Sequence, residues 1–263
     1  MSDVKIISLY SGSTGNATLI ATKSTAILID AGKSARSLCA AVCAAGFDID
    51  KIDAIFITHE HTDHISALEV LEKKHDIPVH MTEISASNAR ISRDSRLAQK
   101  IICHPPHFEV KVGENMTVRS FCTSHDSAMS VGYRVDIRDG ESVYSFGLAT
   151  DTGCVTDEIR ESMLGCRSVL IESNHDLDML RLGPYPPELK KRILSRRGHL
   201  SNPDCAAFAA ELAARGTKTF LLGHLSEENN SPSAALETVR SALAGFEGVS
   251  VLATKPDCET AVV

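Results

Sequence analysis

Residues 58–64 read Thr-His-Glu-His-Thr-Asp-His, which puts three histidines and two acids in seven residues. Neutral imidazoles and a carboxylate are good ligands for Zn²⁺, Mn²⁺ or Fe²⁺. The cluster directly follows the apolar run 52–57, Ile-Asp-Ala-Ile-Phe-Ile, which reads as a buried strand. Side chains alternate along a strand, so His59 and His61 leave its end on one side while Glu60 and Thr62 point elsewhere. Asp63 and His64 then fall where the chain turns into a helix from Ile65. All four groups can converge on one small volume. Without a cation they would be buried polar groups lacking partners, which is unfavourable. A solvated polar surface run is the plainer alternative, and the spacing H-x-H-x-D-H at a strand-to-helix joint argues against it.

Other strand ends carry matching groups. His125 follows the apolar run 116–123, Asp151 follows 142–150, and His224 follows 218–223. Six further histidines remain. His75 reads as a helix-end residue, His80 as part of a short strand, and His104 and His107 as members of a proline-containing loop; His175 and His199 sit in more unusual company.

The elements that must position these groups come in two blocks. Segments 4–10, 16–22 and 25–30 are short β-type runs, followed by a helix over 34–45 that Gly46 closes, a strand at 52–58, and helical spacing at 65–75 and 84–99. Strands return at 108–110, 116–123, 130–137, 142–150 and 167–173. A helix follows with Asn202 as its cap, Pro203 in its first turn and Gly216 at its end. Ser231, Pro232 and Gly245 repeat that arrangement, and strands 218–223 and 249–254 follow the two helices. Segment 174–200 reads as loop plus one basic helix. Strand blocks accompanied by helices predict an α+β fold of two packed sheets with helices outside, in one domain over residues 1–263.

Composition narrows the class. The 263 residues carry 43% hydrophobic and 23% charged side chains, ordinary values for a globular chain that can bury a core unaided. No apolar stretch reaches the roughly 18 residues of a membrane span, and the first residues lack a secretory pattern, so no membrane partner and a cytoplasmic location are expected. Eight cysteines without a CxxC pair read as reduced thiols. A formal net charge of −7 argues against coating nucleic acid by bulk attraction, but not against an enzyme with a local basic groove.

The ligand pattern and its strand-end companions resemble the metallo-β-lactamase superfamily, over nearly the whole chain. The resemblance implies an αββα four-layer sandwich with a dinuclear centre. One divalent ion would be held by His59, His61, His125 and a bridging Asp151, the other by Asp63, His64, Asp151 and His224. The ligands are all nitrogen and oxygen, which suits Zn or Mn, with Fe also open. Further stretches, 10–20 (YSGSTGNATLI), 27–32 (ILIDAG), 123–126 (TSHD), 150–153 (TDTG), 172–176 (ESNHD), 198–202 (GHLSN) and 223–232 (GHLSEENNSP), are similar to the YycJ/WalJ-like branch, related to RNase Z and the β-CASP nucleases. That branch implies a phosphodiesterase with 5′-to-3′ exonuclease activity, DNA ahead of RNA as substrate, using a water activated by the metals. Two alternatives stay open: a thioester or lactone hydrolase of the glyoxalase II type, and an RNase Z-like ribonuclease.

The residues themselves say less about the substrate. The run 190–202 holds Lys190, Lys191, Arg192, Arg196 and Arg197 and leads into His199. It suits a phosphate backbone or, equally, a solvated helix face. Ser13 and Asn16 lie in a Gly/Ser-rich segment that can present N–H groups to phosphate, though a simple hairpin loop also fits. Asn174 and His175 are candidates for the substrate path. Asp63 is a candidate for orienting the attacking water, and His199 for binding substrate and protonating the leaving oxygen.

Overall fold

Strands β1 (Lys5–Tyr10), β2 (Ala17–Ala21), β3 (Ala26–Ile29) and β4 (Ala54–Phe56) open the chain, and the last three are buried at every position. A strand hidden on both faces needs cover on both sides. The computed structural model, which describes residues 4–89, 96–256 and 259–261, supplies it with a second sheet on one face and helices on the other. The first sheet continues through β5 (Val79–Thr82) and β6 (Ile101–His104). The second is built from β7 (Glu109–Val112), β8 (Met116–Cys122), β9 (Val131–Asp139), β10 (Ser142–Ala149), β11 (Ser168–Glu172), β12 (Thr219–Gly223) and β13 (Ser250–Ala253). β14 (Thr260–Ala261) returns to pair with β1.

Each sheet has seven strands among the described residues. Their orders are β14-β1-β2-β3-β4-β5-β6 and β13-β12-β11-β10-β9-β8-β7. Both run antiparallel at first and then parallel, from β3 in one and from β10 in the other. Ile20, Ile27, Phe56, Val118, Tyr133, Phe146 and Leu221 fill the space between the sheets. Outside the first sheet, α1 (Ala35–Ala44), the one-turn α2 (Thr62–Ile65) and α3 (Leu68–His75) follow in order, and Leu38, Val42, Leu68 and Leu71 pack on Leu19, Leu28 and Ile55. Two short helices, α4 (Glu83–Asn88) and α5 (Arg96–Lys100), flank β5 and β6. Outside the second sheet lie α6 (Asp157–Met163), α7 (Leu177–Leu182), α8 (Pro187–Ile193), α9 (Asn202–Ala213) and α10 (Pro232–Ala242). Among these, α6, α9 and α10 set Ile159, Met163, Phe208, Leu212 and Val239 on Val169, Ile171 and Phe220. The expected αββα layering is therefore present.

Several local expectations change. The helical spacing over 65–75 divides into α2 and α3. Of the 84–99 prediction, α4 and α5 cover the ends, and 90–95 lies outside the described residues. Segment 174–200 contains two short helices, because Asp176 caps α7 through the N–H groups of Asp178 and Met179. Ser201, not Asn202, caps α9, its Oγ accepting from Asp204 N. Asn202 is instead buried, its amide paired with Asn230 and its Oδ1 accepting from Ser173. Gly245 does not adopt the left-handed conformation expected of a helix-ending glycine, whereas Gly46 does, at φ 83°. There Gly46 N donates to Cys43 O and Phe47 N to Val42 O, which satisfies the last carbonyls of α1. His104 ends β6 rather than lying in a loop. The seven described cysteines are free thiols, and no described helix is long and apolar enough to cross a membrane.

Candidate metal centre and active-site groove

Six strands of the two sheets end at one rim, and each delivers a polar group there. Asp30 follows β3, His59 lies three residues beyond β4, His125 three beyond β8, and Asp151 two beyond β10; Glu172 is the last residue of β11, and His224 follows β12. The chain must turn sharply at such exits. Asp30, Asp151 and His224 do so with positive φ, at 64°, 52° and 55°. Side chains pay roughly 1–2 kcal/mol for that conformation, so packing elsewhere must hold it. Asp63 is fixed from behind, because Asn16 N donates to Asp63 O at 2.8 Å and Gly32 N to Asn16 O at 2.9 Å. A Cβ on Gly32 would lie 1.6 Å from Asp63 O, so only glycine permits this approach.

The ligand atoms converge in two neighbouring groups. Within 4.8 Å of one another lie ring nitrogens of His59, His61 and His125, and separately a carboxylate oxygen of Asp63 with ring nitrogens of His64 and His224. His59 Nε2 and His61 Nδ1 are 2.9 Å apart. Asp151 sits between the groups. Its Oδ2 is 3.4 Å from His64 Nε2, and its Oδ1 is 3.5 Å from His224 Nε2 and 3.8 Å from His125 Nε2. All seven residues expected as ligands are thus brought together.

The donor set fits divalent cations. Asp151 Oδ2 and His224 Nε2 are buried and have no hydrogen-bond partner. Two buried polar atoms without partners at one rim are a costly arrangement that a cation relieves. The opposite ring nitrogens are anchored, which points the lone pairs inward. His64 Nδ1 donates to Asp30 Oδ2 at 2.8 Å, His59 Nδ1 to Thr58 Oγ1 at 3.1 Å, His125 Nδ1 to Gly198 O at 3.2 Å, and His224 Nδ1 to Glu172 Oε1 at 3.0 Å. Thr58 in turn donates to Asp30.

Charge divides the two groups. Burial, reinforced by the neighbouring imidazoles, holds His59 well below the ordinary histidine range; burial also lowers His125. Burial opposes charge on His64 and His224 as well, but Asp30 and Asp151 for the first and Asp151, Asp63 and Glu172 for the second hold both well above that range. Protons and cations therefore compete for the same lone pairs.

Asp30 and Glu172 were not expected as site residues. Both carried a usable signal, since each is an acid ending an apolar run, just as Asp151 does. Glu172 is fully buried and joins several parts of the site. Its Oε1 accepts from His224 and, at 2.7 Å, from His199 Nδ1; its Oε2 accepts from Thr152 N at 2.8 Å. Burial alone would raise its pKa, yet His199 and His224 bring it below the ordinary range. Burial lowers the pKa of His199, but the Glu172 charge outweighs it and raises the ring's affinity for a proton. His199 stacks on His224 with centroids 5.2 Å apart, and its side chain keeps 22% of its surface exposed.

That exposed edge lines a groove of about 210 Å³ shared with Ser13, Asn174, Tyr185, Leu189 and Arg192. Ser13 and Asn174 therefore lie where substrate contact is open to them. Asn174 also braces His224, donating to its carbonyl oxygen at 2.9 Å. Asn16 has a different place: its amide is held by Gly12 and reaches His64 Nε2 at 3.1 Å, so it supports the ligands from below. His175 does not line the groove. It is buried at 1% exposure, and burial lowers its pKa. A parallel bridge to Ser201 fixes its backbone, which turns the side chain into the fold.

Much of the basic run is engaged within the protein. Lys190 Nζ donates to Arg181 O and Gly183 O, Arg192 pairs with Asp126, and Arg197 donates to His125 O and Ser127 O. The loop 10–16 also uses its own N–H groups, Gly12 N on Asn16 Oδ1 and Gly15 N on Gly12 O.

Comparison with known proteins places this geometry. A family model described as the beta-lactamase superfamily domain matches residues 25–224. The exodeoxyribonuclease YycJ of Bacillus anthracis is 37% identical over 237 residues, covering 89% of this chain and 87% of that protein. The exodeoxyribonuclease WalJ of Streptococcus pneumoniae is 36% identical over 261 residues, covering 96% and 94%. Among solved structures, the metallo-β-lactamase fold protein YhfI from Bacillus subtilis superposes with a TM-score of 0.73 at 16% identity, covering 99% of this chain and 100% of that one. The short form of human tRNase Z gives 0.64 at 16% identity, covering 98% of this chain and 99% of that one. At that identity the likeness shows the fold alone.

Proposed function

The chain belongs to the metallo-β-lactamase superfamily, in the YycJ/WalJ-like branch, and on that premise we propose that it is a metal-dependent phosphodiesterase degrading DNA as a 5′-to-3′ exonuclease. The observation that carries the hydrolytic reading is the pairing of two convergent ligand groups with a histidine, His199, held by a buried glutamate at the groove edge. The exodeoxyribonuclease names of the two relatives support DNA as substrate.

His59, His61, His125 and Asp151 would hold one divalent ion, and Asp63, His64, Asp151 and His224 the other; Zn²⁺ and Mn²⁺ both suit the donors, and Fe²⁺ remains chemically reasonable. Bound there, the ions would supply Lewis acidity toward phosphate oxygens and make water acidic enough to ionise near neutral pH. The chain's own groups do the rest. The partly buried Asp63 carboxylate, 26% exposed, orients the attacking water. His199, protonated because Glu172 favours its charge, stands at the groove to donate a proton to the departing oxygen. Glu172 keeps that ring in one orientation, with Nδ1 turned inward and Nε2 outward. Ser13 and Asn174 line the path of the nucleotide beside the scissile phosphate.

The test is a digestion time course with metal-stripped protein reloaded separately with Mn²⁺ and Zn²⁺. Substrates are 5′- and 3′-labelled single- and double-stranded DNA and matched RNA. Mononucleotide release from the 5′ end of DNA is expected, and it should vanish in Asp151→Ala. Cleavage of RNA alone would replace DNA with RNA as substrate, and inertness toward both would leave only the hydrolase fold.

A further inference from the structure

A second place in the fold gathers metal-binding atoms, away from the rim. His107 precedes β7, Cys122 is the last residue of β8, and Glu158 stands in the first turn of α6. Their ligand atoms lie within 4.8 Å of one another. Cys122 Sγ is 3.6 Å from His107 Nε2, and His107 Nε2 is 2.7 Å from Glu158 Oε1. We propose that His107, Cys122 and Glu158 form a further divalent-cation site, selective for a thiolate-seeking ion of the Zn²⁺ class.

The distances suit such an ion. With Zn–N of about 2.0–2.1 Å and Zn–S of about 2.3 Å, tetrahedral angles put the nitrogen and sulfur about 3.6 Å apart, the separation already present. The nitrogen-to-oxygen distance would open to about 3.4 Å as the hydrogen bond gives way to two coordinate bonds. His107 has the freedom to move that far, its side chain being 66% exposed. Glu158 is held more firmly, because its Oε1 also accepts from Cys122 N at 2.6 Å. Burial, with the Glu158 charge beside it, raises the pKa of the Cys122 thiol, so binding releases the thiol proton to solvent while His107 lends a ring-nitrogen lone pair. Three protein ligands leave the fourth position to water.

The donor chemistry separates this site from the rim. The seven rim ligands contain no sulfur, whereas this site has one, and a thiolate favours Zn²⁺ over Mn²⁺. Its place also links it to the rim. Cys122 lies three residues before His125, Glu158 lies seven after Asp151, and Gly153 N donates to Ser124 O between them. An ion bridging β8 to α6 would clamp together the two segments that carry those residues.

Co²⁺ gives a direct test, because a thiolate ligand adds an intense near-ultraviolet charge-transfer band that nitrogen and oxygen ligands do not. Protein with the rim filled is titrated with Co²⁺ and, separately, Zn²⁺, and metal content is counted after gel filtration. The expected result is one ion beyond the rim complement together with a thiolate band. Cys122→Ser should abolish both while rim metal and nuclease turnover stay at wild-type level. His107→Ala should weaken the extra site by more than about tenfold, the smaller loss seen when even an outer partner of a metal ligand is removed. Mn²⁺ alone should leave the extra site empty. The proposal is overturned if no thiolate band develops, or if the band persists unchanged in Cys122→Ser, which would place it on another cysteine.

Discussion

The two halves of the rim cluster solve the same problem with different charge. His59, His61 and His125 form a set of imidazoles with no carboxylate of its own, and burial keeps His59 and His125 neutral. Asp63, His64 and His224 include a carboxylate, and Asp30 and Glu172 add two more behind them. Asp151 serves both. A cation on the first side would meet neutral donors and one shared anion; on the second it would displace protons and meet several carboxylates. The second half should therefore bind its ion more tightly, and the first should exchange more readily. His199 leans on the anionic half through Glu172, so the proposed proton donor is tied to that side.

The largest expected effect comes from the shared residue. Asp151→Ala should reduce bound metal on both sides and bring DNA hydrolysis to the metal-free background, with circular dichroism unchanged; near-normal turnover would sink the assignment. Next is His199→Ala. It should retain metal yet lose about 10²–10⁴-fold in kcat, the usual worth of a general acid. Because Glu172 raises the pKa of His199, the proton donor is present at low pH and is lost as pH rises through that raised value. Wild-type kcat should accordingly fall on the alkaline side, His199→Ala should lack that limb, and Glu172→Gln should shift it to lower pH.

A subtler outcome separates the halves themselves. Asp30→Asn should weaken one ion by about 10–100-fold and leave the other nearly unchanged, since Asp30 anchors only His64 directly. Stepwise chelation read by metal analysis should then show two phases in wild type and a narrower gap in the variant. A single phase in both would mean the halves do not differ. The smallest effects concern the basic run. Lys190→Ala and Arg197→Ala remove hydrogen bonds to backbone carbonyls, so each should cost about 1 kcal/mol, a Tm shift of about 2–4 °C. Neither should change the salt dependence of DNA binding. Lys191→Ala or Arg196→Ala would lower that slope by about one if the exposed face meets phosphate.

Much of this arrangement was legible in the chain. Apolar runs that end in His or Asp marked several strands and five of the seven candidate rim ligands, His59, His61, His125, Asp151 and His224, because a group placed just past a buried strand stands at a sheet rim. Asp63 and His64 followed from the short spacing within residues 59–64. Glu172 and Asp30 had the same strand-end signature but stayed unread, since an acid beside an aliphatic run looks alike whether it faces solvent or an imidazole. His175 shows the reverse error. Its neighbours in sequence suggested the substrate path, yet it is buried, with its backbone bridged to Ser201.

The sequence by itself determined which residues form strands, where the chain must turn, and which side chains can bind a cation, because these depend on local period and donor chemistry. Only the tertiary structure decided who faces whom. Glu172 and His224 are 52 residues apart, Asp30 and His64 34 apart, and the cations of the 190–197 run find carbonyls and acids as distant as Asp126. Such pairings are fixed when two sheets pack and bring distant strand ends to one edge. Local spacing does not say which of these ends will meet, and this is why candidate ligands could be named along the chain while the partners that hold them could not be paired.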